Sequence, residues 1–159
     1  MRKIVLSIFV DNTFGVLSKV SGLFSRRGYN IDSLTVGVTE NPSYSRMTVV
    51  VTGEEQILDQ IKKQVEKLED VKEVKELNPN ESVYRELILV KVAANSETRE
   101  RVISVAEIFR AKIVDVTPES MICELTGDES KLEAFLKLLC DYKILEIART
   151  GITGLARGC

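Results

Sequence analysis

Hydrophobic residues recur along this chain with two periods, and the two periods follow the same order twice. Apolar positions spaced two apart predict strands, and apolar positions spaced three to four apart predict helices. In the first half the order is strand, helix, strand, strand, helix, strand. The predicted strands of this half cover residues 3–10, 31–39, 45–53 and 71–77, and its predicted helices cover residues 15–27 and 54–68.

The second half repeats this order. Its predicted strands cover residues 83–92, 112–117, 120–127 and 144–150, and its predicted helices cover residues 97–110 and 128–140. Between the halves, residues 78–81 have the composition of a turn and include no apolar residue. The sequence therefore predicts an α+β protein of two ferredoxin-like βαββαβ domains in tandem, residues 1–78 and residues 79–159.

The first predicted strand is apolar on both faces. Val5 and Phe9 lie on the face opposite to the apolar residues at positions 4, 6, 8 and 10. Two helices cover only one face of a four-stranded sheet, so this pattern predicts a second covering layer. We expect that layer to come from association into a dimer or larger assembly. The alternative is that Val5 and Phe9 are isolated apolar residues on the surface.

The junction between the first strand and the first helix is the clearest candidate for a binding site. Asp11, Asn12 and Thr13 precede Gly15 there, and residues 28–32 form a second turn where the helix ends. The first backbone N–H groups of a helix have no partner within it, and the positive end of the helix dipole favours an anion. Gly15 lacks the Cβ that would hold a ligand away. We expect a small carboxylate here; the simpler alternative is that Asn12 or Thr13 only caps the helix.

The composition argues against catalysis and against nucleic-acid binding. The chain has no histidine, which is the commonest general base and the commonest metal ligand. Its net charge is −2, and acidic and basic residues mix along both halves, so no segment attracts phosphate backbones. Cys123, Cys140 and Cys159 show neither zinc spacing nor a redox pair. The early apolar run ends at Asp11 without a cleavage site, so we expect a cytoplasmic protein with no membrane partner.

Three other features have structural explanations. The acidic residues between positions 54 and 70 interleave with lysines, which is typical of a solvated helix face. Residues 151–158 are glycine-rich but open no helix, so we expect a mobile or partner-docked tail instead of a phosphate loop. Residues 27–29 are similar to an RNA-recognition signature, but they lie at a helix-to-strand junction, and the third strand contains no aromatic residue.

Five stretches of sequence carry a resemblance to a known family. They are residues 22–34, 45–48, 89–92, 108–118 and 151–158. In this order they resemble the regulatory small subunits of acetolactate synthase (acetohydroxyacid synthase), a family whose first domain is an amino-acid-sensing ACT domain. The resemblance covers nearly the whole chain.

The resemblance implies a protein without catalytic activity of its own. Such a protein binds the catalytic large subunit, raises its activity and confers feedback inhibition by valine in branched-chain amino acid biosynthesis. The large subunit would hold thiamine diphosphate, FAD and magnesium, and this chain would hold no cofactor. The resemblance also implies a homodimer in which two ACT domains share one eight-stranded sheet and bind the amino acid at their interface. We assign the second domain to contact with the large subunit.

The resemblance also implies which residues bind valine. Those that match the family's site are Asn12, Gly15, Val16 and Leu17 from one chain, with Asn30 and Ile31 facing them from the other. Backbone N–H groups near Gly15 would hold the carboxylate, and the Asn12 amide would orient it. Carbonyl groups near Asn30 and Ile31 would accept from the ammonium group. Phe14 departs from the small residue or proline common before this glycine, so its ring is expected to reshape the recess for the isopropyl group.

Two other classes of function stay open on the sequence. ACT domains also occur as free-standing amino-acid sensors without an enzyme partner, and the DNA-linked form of such a sensor lacks support because the chain has no helix-turn-helix pattern and no basic patch. A small independent enzyme is disfavoured by the missing histidine and by the unshielded carboxylates.

Overall fold

The structure is a computed structural model that describes residues 1–159. The chain forms two compact units, Met1–Tyr84 together with Ile152–Cys159, and Arg85–Gly151. All predicted helices and strands are present, and their observed ends differ from the predicted ends by no more than two residues. The predicted pair of ferredoxin-like α+β domains is therefore confirmed. No helix combines the length and the apolar character that crossing a bilayer requires.

The first unit contains one sheet with two helices on one face. Its elements are β1 (Arg2–Asp11), α1 (Val16–Arg26), β2 (Ile31–Val38), β3 (Tyr44–Gly53), α2 (Glu55–Glu66) and β4 (Val71–Glu76). The strand order is β2-β3-β1-β4 with antiparallel neighbours, so β2 and β4 are the edges. The apolar residues at 4, 6, 8 and 10 of β1 are buried with the inner faces of both helices, including Val20, Phe24, Leu58 and Ile61.

The second unit has the same architecture. Its elements are β5 (Ser82–Ala93), α3 (Arg99–Ile108), β6 (Lys112–Val116), β7 (Ser120–Gly127), α4 (Glu129–Leu139) and β8 (Ile144–Arg149), although the first residues of β5 belong to the first unit. The strand order is β6-β7-β5-β8. Ile88, Val90 and Val92 of β5 are buried with Phe135 of α4, whose ring meets Phe109 edge-on at a centroid distance of 5.4 Å.

A strand that the sequence pattern does not predict, β9 (Thr153–Ala156), pairs with β5. It lies in Ile152–Cys159, which we call the return segment because it belongs to the first unit. The expectation of a mobile or partner-docked tail is therefore wrong, because this segment folds onto its own chain. The predicted boundary at residue 78 places residues 79–84 and 152–159 in the second domain, whereas the compact units place both stretches in the first.

The return segment supplies part of the second layer predicted for β1. Val5 is only 5% exposed and is buried with Val50, Leu77 and Ile152 on the sheet face opposite to the helices. Farther along the same face, Phe9 is half-buried, with its ring centroid 4.9 Å from that of Tyr44. The two-sided apolar pattern thus reflects real cover for Val5, and that cover comes from the same chain.

Candidate functional site

The start of α1 is open. Gly15 precedes the helix with φ 84° and ψ −2°, a left-handed conformation that glycine adopts without strain. No side chain caps the helix, and its first turn contains no acidic residue. The first helical bond is donated by the Lys19 N–H to the Gly15 carbonyl at 3.0 Å. The N–H groups of Val16 and Leu17 lie before this bond, where a helix offers them no carbonyl.

Asn12 fixes the loop before this helix. Its backbone N–H donates to the Ser43 carbonyl at 2.8 Å, and its Nδ2 donates to the Pro42 carbonyl at 3.0 Å. Both acceptors lie in the hairpin between β2 and β3, so Asn12 ties the end of β1 to that hairpin. A side-chain amide has two hydrogens and one acceptor oxygen. The bond to Pro42 uses one hydrogen and leaves the other hydrogen and the oxygen for a ligand.

The carboxylates near the start of α1 are paired with lysines. Asp11 Oδ2 lies 3.3 Å from Lys72 Nζ, and Asp70 Oδ2 lies 2.7 Å from Lys19 Nζ. Each negative charge is therefore accompanied by a positive one, which weakens the repulsion that an arriving anion would meet. The electrostatic setting of the open helix start favours a small anion over a cation.

Asn30 and Ile31 lie at the other end of α1. The helix has 11 residues, which corresponds to a length of about 16 Å at 1.5 Å per residue. Gly28, with φ 70°, turns the chain after the helix, and the Tyr29 N–H donates to the Phe24 carbonyl at 3.0 Å. The structure thus places four of the predicted site residues together at the start of α1: Asn12, Gly15, Val16 and Leu17. The other two, Asn30 and Ile31, lie beyond the far end of the same helix.

Exposed apolar residues lie on β2 at the end of the sheet that carries Asn12. Val36 is 48% exposed and Val38 is 61% exposed. They pair with Met47 and Ser45 of β3, which places them on the helix-bearing face of an edge strand. Sequence reasoning did not single out these two valines. The signal available was the alternation of Leu34, Val36 and Val38, but their exposure depends on β2 being an edge strand.

Two further apolar residues are exposed at the helix start itself. Phe14 is fully exposed and Leu17 is 47% exposed. Exposed apolar residues that gather around unpaired backbone donors give a surface with both a polar and an apolar part. No group of three or more His, Cys, Asp or Glu side chains comes together as a metal site requires.

The fold and the family match of the first unit define the class of this protein. Residues 6–73 match the family described as the AHAS small subunit-like ACT domain. Residues 85–158 match the family described as the small subunit of acetolactate synthase. The molecule is therefore an α+β protein whose first unit is an ACT domain.

Individual relatives extend this match over the full length. The chain is 51% identical over 159 residues to the acetolactate synthase isozyme 3 small subunit of Salmonella typhimurium, covering 99% of this chain and 97% of the relative. It is 50% identical over 153 residues to the acetolactate synthase small subunit of Mycolicibacterium smegmatis, covering 96% of this chain and 90% of the relative. The crystal structure of the acetolactate synthase small subunit from Thermotoga maritima superposes with a TM-score of 0.91 at 43% identity, covering 100% of this chain and 99% of that one. The chain belongs to the family of acetolactate synthase small subunits.

Proposed function

We propose that this chain is the non-catalytic regulatory subunit of a cytoplasmic acetolactate synthase in branched-chain amino acid biosynthesis. It binds the catalytic large subunit, raises the activity of that subunit and confers feedback inhibition by valine. Thiamine diphosphate, FAD and magnesium belong to the large subunit. Membership of the small-subunit family supports the proposal that the chain binds a catalytic large subunit. The observation that carries the effector is the open start of α1, which has no capping side chain.

The open helix start suits the carboxylate of a free amino acid. The N–H groups of Gly15, Val16 and Leu17 would donate to the carboxylate, which replaces the missing cap. Asn12 would donate its second amide hydrogen to the same group, because its first hydrogen is used on the Pro42 carbonyl. This assignment makes the ligand an N-terminal capping group supplied from solution.

The ammonium end of the amino acid would be held by a second copy of the chain. β2 is an edge strand, so one side of its backbone ladder is unpaired. If two β2 strands pair antiparallel about a two-fold axis near Leu34, their sheets join into one sheet of eight strands. Asn30 of one copy then lies level with Val38 of the other, at the end of the sheet that carries Asn12. Carbonyl groups near Asn30 and Ile31 would accept from the ammonium group.

The side chain of the amino acid would enter an apolar recess between the two copies. The exposed residues Phe14, Leu17, Val36 and Val38 supply apolar surface for it. A recess of this kind discriminates weakly, because one methylene is worth about 1–3 kcal/mol. We expect valine to bind more tightly than leucine or isoleucine, without exclusion of either.

Regulation requires that this interface and the surface bound to the large subunit influence each other. Coupling energies of allosteric pairs are about 1–3 kcal/mol, and linkage makes them reciprocal. Valine would shift the placement of the two ACT domains, and binding of the large subunit would in turn change the affinity for valine. A titration of valine with and without the large subunit measures this change.

Acetolactate formation tests the proposal directly. The large subunit is assayed alone, with this chain, and with this chain plus valine. We expect the chain to raise the rate and valine to lower it only when the chain is present. A rate unaffected by the chain contradicts the regulatory role. Activation without a valine effect contradicts the effector, and valine binding by a chain that has no effect on the large subunit favours the free-standing sensor.

A further inference from the structure

We propose that the return segment positions strand β2 for the amino-acid site, so that docking of this segment and binding of the amino acid stabilise each other. This inference rests on the proposed function. It goes beyond that function because it assigns a role to Ile152 and Gly154, which lie on the sheet face opposite to the helices and contribute nothing to the proposed ligand contacts.

Ile152 holds the return segment on the sheet. Its side chain is 6% exposed and is buried with Val5, Val50 and Leu77, and Tyr84 packs at the edge of this cluster. Burying an isoleucine contributes a large share of the stability of so short a segment. The cluster packs the return segment against the central strands β1 and β3. A shift of these strands would therefore shift the segment as well.

Gly154 lets the segment lie close to its neighbours. A Cβ at this position would come within 3.0 Å of Leu77 Cδ1, 3.0 Å of Tyr84 Cδ1 and 3.2 Å of the Val83 carbonyl oxygen. Beyond β9, the Arg157 N–H donates to the Glu81 carbonyl at 2.7 Å. The segment is therefore fitted to this surface by shape and by backbone hydrogen bonds, and a methyl group added at Gly154 would require its neighbours to shift by a few tenths of an ångström.

The return segment also contacts the edge strand that begins next to Asn30. Thr35 Oγ1 of β2 donates to the Ile152 carbonyl at 3.4 Å. Val50, which packs in the Ile152 cluster, is the pairing partner of Ser33 of β2. β2 is bonded within the sheet on one side only, and its register shifts between Ile31 and Ser33. Because β2 has a neighbouring strand on one side only, the contact of Thr35 with the return segment restricts the position of β2 further.

The return segment follows directly on the second unit. Gly151 is the last residue of that unit, and the N–H of the preceding Thr150 donates to the Leu87 carbonyl at 3.1 Å. The peptide bond from Gly151 to Ile152 thus joins the segment covalently to the second unit.

Substitutions at two positions and a matched control test this inference by titration calorimetry on the full chain. Ile152→Ala removes the buried side chain, and Gly154→Ala adds a methyl group that Leu77, Tyr84 and Val83 would crowd at 3.0–3.2 Å. We expect each variant to bind valine about five- to tenfold more weakly than the wild type. Leu155→Ala is the control, because Leu155 lies in the same strand with its side chain 60% exposed, and its valine affinity should not change.

Hydrogen exchange distinguishes coupling to the amino-acid site from a purely structural role of the return segment, because only coupling makes the exchange rate depend on valine. Because linkage is reciprocal, saturating valine should slow amide exchange of residues 153–157 in the wild type, relative to the amides of β6 as an internal reference. Exchange of these residues that ignores valine overturns the inference, and so does wild-type affinity in both substituted chains. If a variant fails to fold, the wild-type exchange measurement still decides. A wild type that does not bind valine overturns the proposed function itself, which separates the two failures.

Discussion

The first helix of each unit follows an inner strand of its sheet, yet the two helices begin in different ways. Before α3, Asn95 Oδ1 accepts from the N–H groups of Glu97 at 2.9 Å and Thr98 at 3.1 Å. Thr98 Oγ1 in turn accepts from the Asn95 N–H at 3.0 Å. Before α1, the equivalent turn ends in Gly15, which has no side chain to offer. The turn before α3 has side-chain acceptors for its N–H groups, whereas the turn before α1 ends without one.

This difference shows that the repeated fold does not decide which unit binds a ligand. Both units have the same order of strands and helices, so the architecture alone would place equivalent sites in each. The local turn breaks the equivalence. The turn that contains Asn95 uses its side chain on its own N–H groups, whereas the start at Gly15 leaves its first N–H groups without a side-chain acceptor and so available to an anion. The comparison therefore supports assigning the effector to the first unit only.

The largest expected effect comes from placing a negative charge at the open start. In Gly15→Asp the new carboxylate would repel that of valine and compete for the same N–H groups, so we expect binding to weaken about 10- to 100-fold. Nothing lies within 4 Å of a Cβ at this position, so steric clashes do not explain the loss. Gly15→Asn carries the same backbone strain without the charge and is the control. Equal valine affinities of the two variants in calorimetry would refute the carboxylate placement.

A second test compares alanine substitutions of two asparagines, one before the first helix of each unit. Asn12→Ala should weaken valine binding about tenfold, because it removes a donor to a charged group and frees the loop from Pro42. Asn95→Ala should leave valine binding unchanged and lower the free energy of unfolding by about 1 kcal/mol, because it removes the side-chain acceptor of the turn that leads into α3. Calorimetry and urea unfolding measure both quantities for both variants. An Asn95→Ala chain with weakened valine binding would contradict the division of roles.

A smaller effect is expected at Phe14. Its ring is fully exposed in the single chain, so Phe14→Ala should change the free energy of unfolding by less than about 0.5 kcal/mol. The ring is proposed to narrow the recess between two copies, so its removal should raise the affinity for leucine relative to valine about threefold. Competition between the two amino acids in the inhibition assay measures that ratio. An unchanged ratio would place the ring outside the recess.

Periodicity was enough to predict both βαββαβ repeats, because each element has an apolar face that the chain pattern records directly. It could not predict β9. Residues 151–158 have no regular apolar period, and the strand forms because Gly154 fits against Leu77 and Tyr84, which are distant in sequence. Such a strand depends on tertiary contacts that no local window contains.

The candidate site divides in the same way. The position of Gly15 at the helix start could be predicted from the surrounding residues, but the sequence left open whether Asn12 or Thr13 caps the helix, and only the structure shows that neither does. The bond from Asn12 to Pro42 could not, because it requires the hairpin to fold back beside β1. The exposure of Val36 and Val38 could not be predicted either, since alternating valines look alike in a central strand and in an edge strand.

The smallest expected effect is on the pH dependence of stability, through a helix start that is capped by a charged side chain. Before α4, Asp128 Oδ1 accepts from the Lys131 N–H at 2.9 Å and from the Ser130 hydroxyl at 2.8 Å. The Lys131 N–H, with the help of Ser130, lowers the pKa of Asp128 below its ordinary value. A lowered pKa in the folded state stabilises the fold above the ordinary pKa, and this stabilisation is lost as the pH falls through the folded value.

Asp128→Asn isolates this contribution, because asparagine keeps an oxygen acceptor for the helix N–H groups but does not titrate. We expect the wild type and the variant to have similar Tm values at neutral pH. Below about pH 4 the Tm of the wild type should fall more steeply than that of the variant, because only the wild type must protonate its cap. Parallel curves of Tm against pH would mean that the carboxylate charge does not contribute to the cap. The open start of α1 has no capping carboxylate and no acidic residue in its first turn, so it lacks this source of acid sensitivity.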